Sequence, residues 1–326
     1  MYVVNTILSV RLDRYLKRLF PTLTQGTIEQ SLRLGKIRVN NIKCLSNFRV
    51  NQGDVITIVS KMLTELTNSN AFNNEDRIFS NAAITLAEKI VGEYLIYDDE
   101  HFMAINKPAK LATQGGSKIS LSLNDGIDFL NSRDNLQLKL VHRLDRETSG
   151  ILLIAKTYYG ASKIASAFEQ KIIEKKYLAV VEGSPIEKHG QISSILHKNK
   201  DGVFSSSREE VQEEGKLAIT LYRVLKNLGN RSLIEFAPHT GRMHQLRVHA
   251  KSLGHPIVGD SKYNNFTSSK SNFMLLHSYN LKIPIEIFGK EIALEAELPR
   301  YFKDISHRVC DLGLDALGGI AGGWSD

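Results

Sequence analysis

Residues 142–156 read His142-Arg143-Leu144-Asp145-Arg146-Glu147-Thr148-Ser149-Gly150-Ile151-Leu152-Leu153-Ile154-Ala155-Lys156. Polar side chains crowd the first half, and an unbroken apolar run fills 151–155. Such a run is too short for a buried helix and suits a strand covered on both faces, at the centre of a sheet. A polar loop anchored to a rigid strand is where catalytic groups concentrate. Asp145 could therefore serve as a nucleophile or a base. Alternatively Asp145, Thr148 and Ser149 cap free backbone N–H groups of a turn, which is the stronger reading of these residues taken alone.

Outward from this segment, strand-like runs alternate with short helices. Residues 95–97 and 102–105 flank the acidic turn Asp98-Asp99-Glu100. Residues 162–173 suit a helix, with Ile164 and Phe168 four apart, and 177–181, 219–225 and 232–237 suit strands. Hairpins interspersed with helices predict an α+β fold with a large, mostly antiparallel sheet. A second polar cluster spans 239–249, where Gly241 is expected to open a helix with Leu246, Ala250 and Leu253 as its inner stripe. Histidines at 239, 244, 249 and 255 invite a zinc site, but His244 and His249 are five apart. That spacing leaves them roughly 140° apart on a helix, whereas a helical ligand pair stands four apart. A kinase reading of 142–145 fails too, because neither a Gly-rich loop nor a downstream metal-binding Asp-Phe-Gly accompanies it.

The chain has 326 residues, 42% hydrophobic and 24% charged, which fits a soluble globular protein of one large or two modest domains. It has no apolar run of 18 residues, no signal-peptide pattern at its start and only two cysteines, Cys44 and Cys310. A membrane span, secretion and a disulfide framework are not expected, and a reducing cytoplasm is. The net charge is +7, and residues 1–60 hold nine basic against three acidic side chains, a net of +6. Clustering of that kind favours an anionic partner, nucleic acid above all; the alternative is an ordinary solvated face.

Within 1–60, Leu12, Tyr15, Leu16 and Leu19 mark one helical face, leaving Arg14, Lys17 and Arg18 on the other, and Pro21 ends the helix. Ile28 and Leu32 mark a second helix ending near Gly35, followed by a strand and turn at 36–41 and a strand at 55–58. This order and the wording of 11–58 resemble the S4 RNA-binding domain, with Ser31 where a basic residue is frequent. The resemblance implies RNA contacts from Arg14, Lys17, Arg18, Arg33, Lys36 and Arg38. Asparagines at 68, 70, 73 and 74 break any periodicity, so 61–93 is expected to be a linker, helical at its far end.

Five blocks beyond it stand in the order found in RluA-type pseudouridine synthases: "NKPAKLATQGG" at 106–116, "HRLDRETSGILLIAK" at 142–156, "EKKYLAVVEG" at 174–183, "GRMHQLRVHAKSLGHPIVGD" at 241–260 and "FMLLHSYNL" at 273–281. With the S4-like module they resemble the bacterial large-subunit rRNA branch, type C more than type D. Lys110 and Asn264 stand where that family usually has Gly. The resemblance implies a catalytic domain over 94–310 and isomerisation of uridine in rRNA, a reaction that oxidises and adds nothing and so needs no metal or cofactor; a monomer is expected, and composition marks a Gly-rich tail at 311–326. It maps the catalytic aspartate onto Asp145, the active-site tyrosine onto Tyr177 and the basic partner onto Arg247. Leu276 maps to the uracil pocket, and Arg143 to the residue that fills the space of a flipped nucleotide. The expected partner is large-subunit rRNA or a pre-ribosomal particle. Competing readings are a catalytically silent RNA-binding or ribosome-assembly protein, and a nucleoside glycosidase, whose chemistry usually calls for two carboxylates.

Overall fold

The apolar run 151–155 lies inside the strand Ser149–Ala155, all seven residues of which are buried. In the computed structural model, residues 1–5, 9–20, 23, 25–59, 79–116, 119–198, 204–207, 215–266 and 271–305 are described. The chain divides into two compact units, 1–78 and 79–326.

In the larger unit the sheet runs, edge to edge, through Phe204–Ser207, His189–Lys198, Lys216–Asn227, Arg231–Pro238, Glu174–Glu182, Leu276–Ile283, Ser149–Ala155, Phe102–Lys107 and Leu95–Asp98. Its described pairings are antiparallel except one: Leu276–Ile283 runs parallel to Ser149–Ala155, with His277 opposite Ser149 and Ser278 opposite Gly150. At this seam Gly150 has φ +109°, and a Cβ there would lie 2.1 Å from the Ser278 carbonyl oxygen, so only glycine lets the strands meet.

Alternation along the buried strand sorts its side chains into two layers. Leu152 and Ile154 pack with Leu86, Ala87 and Ile90 of the helix Asn81–Val91 and Ile127 and Leu130 of the helix Leu123–Asp134. Ile151 and Leu153 pack with Ile164 and Ala167 of the helix Tyr158–Glu169. The α+β class expected from the sequence is the class observed.

Three boundaries differ from expectation. Asn81–Val91, assigned to the far end of a linker, is part of the larger unit's core, which begins at 79. The helix expected at 162–173 starts at Tyr158, because the Thr157 side chain accepts the Gly160 N–H at 3.0 Å. The helix expected from Gly241 is Gln245–Ser252. A helix at Leu123–Asp134 goes beyond the expectations, although Ser122 and Asp125 form a capping box at its start.

In the smaller unit, Tyr2–Val3, Val55–Ile58 and Ile37–Val39 form a three-stranded sheet, and Val10–Arg11 pairs with Arg49–Val50. The helices Leu12–Leu19 and Gln25–Arg33 bury Leu12, Tyr15, Leu16, Ile28 and Leu32 against Ile37, Val39 and Ile56. Asn40 and Asn41 take φ of 49° and 64°, the left-handed turn their residue type favours. Pro21, most of the expected linker and the tail at 311–326 lie outside the described residues.

Candidate active site

The loop carrying Asp145 is fixed from below. Thr113 donates its hydroxyl to the Leu144 carbonyl at 2.7 Å and accepts the Leu144 N–H at 3.3 Å. Lys107, fully buried, directs its ammonium to the carbonyls of Pro108, Leu111 and Arg146 at 2.9, 2.8 and 3.4 Å. Burial pulls the Lys107 pKa down to about 7 against the opposing fields of Asp145 and Glu147.

The Asp145 side chain does not cap its own turn. Its Oδ2 lies 3.5 Å from Arg247 Nη1 and 3.8 Å from His244 Nε2, so the capping reading gives way to an ion pair. Arg247 is 7% exposed. Its Nε and Nη2 donate to the two oxygens of Asp260 at 2.8 and 2.7 Å, a bidentate pair with a fully buried carboxylate. Asp260 also accepts the Lys262 and Tyr263 N–H groups. Burial opposes the Arg247 charge, but the Asp260 hydrogen bonds and the nearby carboxylates outweigh it and raise the pKa.

One cleft, of about 110 Å³, holds all five residues singled out from the sequence: Arg143, Asp145, Tyr177, Arg247 and Leu276. That volume is several water molecules' worth. Leu276 is 3% exposed and supplies an apolar wall, whereas Arg143 is exposed at the rim. Tyr177, half-buried on its strand, packs with the core as well as lining the cleft. Burial pushes its phenol up to about 12; a hydrogen bond with Ser278 works the other way, and the Asp145 charge adds to the rise.

Lys107, Asp260 and His244 join this arrangement without a role assigned from the sequence. Their signal was a place inside the quoted blocks, which says nothing of who bonds to whom. His142 and His249 are structural: His142 Nε2 accepts the Leu153 N–H at 2.8 Å, and His249 joins Ser194 and Thr220 at 3.1 and 2.9 Å. Lys110 keeps a glycine-like φ of +68°, and its ammonium sits 4.2 Å from the Phe273 ring centroid.

In the smaller unit Arg14, Lys17, Arg33, Lys36 and Arg38 are all exposed, while the side chain of Arg18 lies outside the description. Lys17 is engaged, donating to the Leu23 carbonyl at 2.8 Å. Ser31 is buried, which removes it from any surface contact. A broad groove is lined by Arg33 together with Arg11 and Lys43, two cations not singled out before.

A family model described as RNA pseudouridylate synthase matches residues 101–252, and one described as S4 domain matches 10–56. Over 303 residues the chain is 51% identical to the ribosomal large subunit pseudouridine synthase C of Rickettsia felis, covering 92% of this chain and 97% of that protein. This chain belongs to the RNA pseudouridylate synthase family. The pseudouridine synthase of the same description from Vibrio cholerae is 29% identical over 90% of this chain and 91% of its own. Among solved structures, human RNA pseudouridylate synthase domain containing 4 superposes with a TM-score of 0.59 at 26% identity, over 70% of this chain and 97% of that one. In this pseudouridine synthase the family match spans the Asp145 loop, the Tyr177 strand and the Arg247 helix.

Proposed function

We infer that this chain converts uridines of large-subunit ribosomal RNA to pseudouridines, with Asp145 as the reacting carboxylate. The observation that carries the assignment is the Asp260–Arg247–Asp145 chain of charges at a cleft walled by Tyr177 and Leu276. The relatives named for the large subunit supply the class of RNA.

The reaction breaks the C1′–N1 bond, turns the uracil and joins C1′ to C5; C5 loses a proton and N1 gains one. No atom is added and nothing is oxidised, so carboxylate chemistry is sufficient. An ionised Asp145 can attack C1′ or remove the C2′ proton, and both routes require the same unprotonated oxygen. Arg247 Nη1 stands 3.5 Å from Oδ2 of that carboxylate, and the bidentate pair with Asp260 keeps Arg247 aimed. The target base must first leave its stack, at a cost of roughly 2–5 kcal/mol. Tyr177 offers a ring face worth about 1–3 kcal/mol of stacking, Leu276 an apolar wall, and Arg143 a planar cation for the vacated space.

The exposed cations of the smaller unit, with Arg11 and Lys43, contact RNA phosphates, and the protein acts as a cytoplasmic monomer on rRNA or on an assembling particle. A silent RNA-binding protein would have no use for a charge chain built into a cleft. Asp145→Ala is expected to abolish pseudouridine formation, read by chemical labelling of a large-subunit rRNA transcript, with RNA affinity within about twofold. Product formation at the normal rate would overturn the assignment.

A further inference from the structure

The two oxygens of Asp145 face different surroundings. Both nearby donors lie on Oδ2, Arg247 Nη1 at 3.5 Å and His244 Nε2 at 3.8 Å, and no described donor lies on Oδ1. His244 reaches this place through a backbone that most residues avoid: it sits just before the helix Gln245–Ser252 with φ +57°. The turn is tied by Gln245, whose Oε1 accepts from Thr240 Oγ1 at 2.7 Å and from the Arg242 N–H at 3.0 Å.

The other ring nitrogen fixes the tautomer. His244 Nδ1 lies 2.7 Å from the hydroxyl of Tyr263, a residue 1% exposed whose ring also lies 5.0 Å from the Arg247 guanidinium carbon. A phenol is protonated at neutral pH and accepts poorly, whereas an unprotonated imidazole nitrogen accepts well. Tyr263 therefore donates to Nδ1, and the ring hydrogen resides on Nε2, the nitrogen turned to Asp145. Burial, with the Arg247 and Lys262 charges, lowers the His244 pKa against the opposing fields of Asp145 and Asp260, which keeps the ring in this neutral form.

We propose that His244 is a positioning residue: its Nε2–H, oriented by Tyr263, joins Arg247 in holding Oδ2 of Asp145, so that Oδ1 is the oxygen that reacts with the ribose. The inference rests on Asp145 being the reacting carboxylate. A separation of 3.8 Å exceeds a hydrogen bond, and catalytic contacts of this kind commonly tighten when substrate binds.

Two substitutions separate donation from backbone shape. Asn tolerates positive φ and keeps an acceptor near the Nδ1 position but ends short of Asp145, whereas Gln can return an N–H near the Nε2 position. With full-length protein and a large-subunit rRNA transcript under single-turnover conditions, His244→Asn is expected to slow conversion about 10–100-fold at unchanged RNA affinity. His244→Gln is expected to remain within about fivefold of the unaltered protein, and Tyr263→Phe to fall between the two. Asn active with Gln inactive, equal loss in both, or no loss in either would each overturn the proposal. A parallel Asp145→Asn arm keeps the two levels apart. Activity surviving there removes the underlying reading, whereas its loss alongside unaffected His244 variants removes only this inference.

Discussion

In the smaller unit Arg14, Lys17, Arg33, Lys36 and Arg38 are exposed, Lys17 and Arg38 each donating to one backbone carbonyl, whereas in the larger unit Arg247 and Lys107 are buried and bonded to several fixed oxygens. Exposed cations attract a phosphate backbone additively, and each is individually replaceable. A buried cation is costly to leave unpaired, so its partners hold it in one place. On the function proposed above, the first arrangement would hold the RNA and the second would fix the carboxylate that meets the nucleotide.

The contrast is tested most severely by Asp260→Ala, which strips the bidentate partner from Arg247. Breaking such a pair costs about 3–5 kcal/mol, so the urea midpoint should drop sharply, and single-turnover conversion should fall at least about 100-fold. An unaltered midpoint would mean that the buried cation is no more constrained than the exposed ones.

A smaller effect per group comes from acid. All ten histidines lie beyond residue 78. Burial holds His142 at about 3 and His249 and His277 at about 4. In the unfolded chain they take up protons near 6.5, so the stability they confer is complete above that pH and is lost as pH falls towards 4. At pH 5 the larger unit should lose roughly 1–2 kcal/mol per buried histidine. Hydrogen exchange at pH 5 and 7 should show that loss in the larger unit and not in the smaller one. Equal losses in both would contradict it.

The mildest change is expected from replacing Arg14, Lys17 and Arg33 together by Gln. The slope of log affinity against log salt should shrink by about two to three, with the single-turnover rate at saturating protein unchanged. An unchanged slope would remove these side chains from the RNA contact.

Most of the framework was legible where residue type and period agree. The run 151–155 marked the buried strand, and the pair Asn40-Asn41 marked a turn, whose left-handed backbone only the structure shows. Arg247 was found only through the family pattern, because one guanidinium on a helix looks the same in sequence whether it faces solvent or a buried carboxylate 13 positions on. The start of Gln245–Ser252 was misplaced because the Gln245 side chain and the positive φ of His244 shape the turn, and neither residue type announces that conformation. Tyr158, 77% exposed, carries no apolar periodicity, so the first turn of its helix could be known only from the Thr157 cap.

The parallel seam has a consequence for synthesis. Ser149 and His277 meet there across 128 positions of chain. A growing polypeptide therefore lacks its completed centre until the strand Leu276–Ile283 has left the exit tunnel and docked, and contacts so distant in order form slowly. Truncated products of interrupted translation that end before this strand lack Leu276, and with it the apolar wall of the cleft.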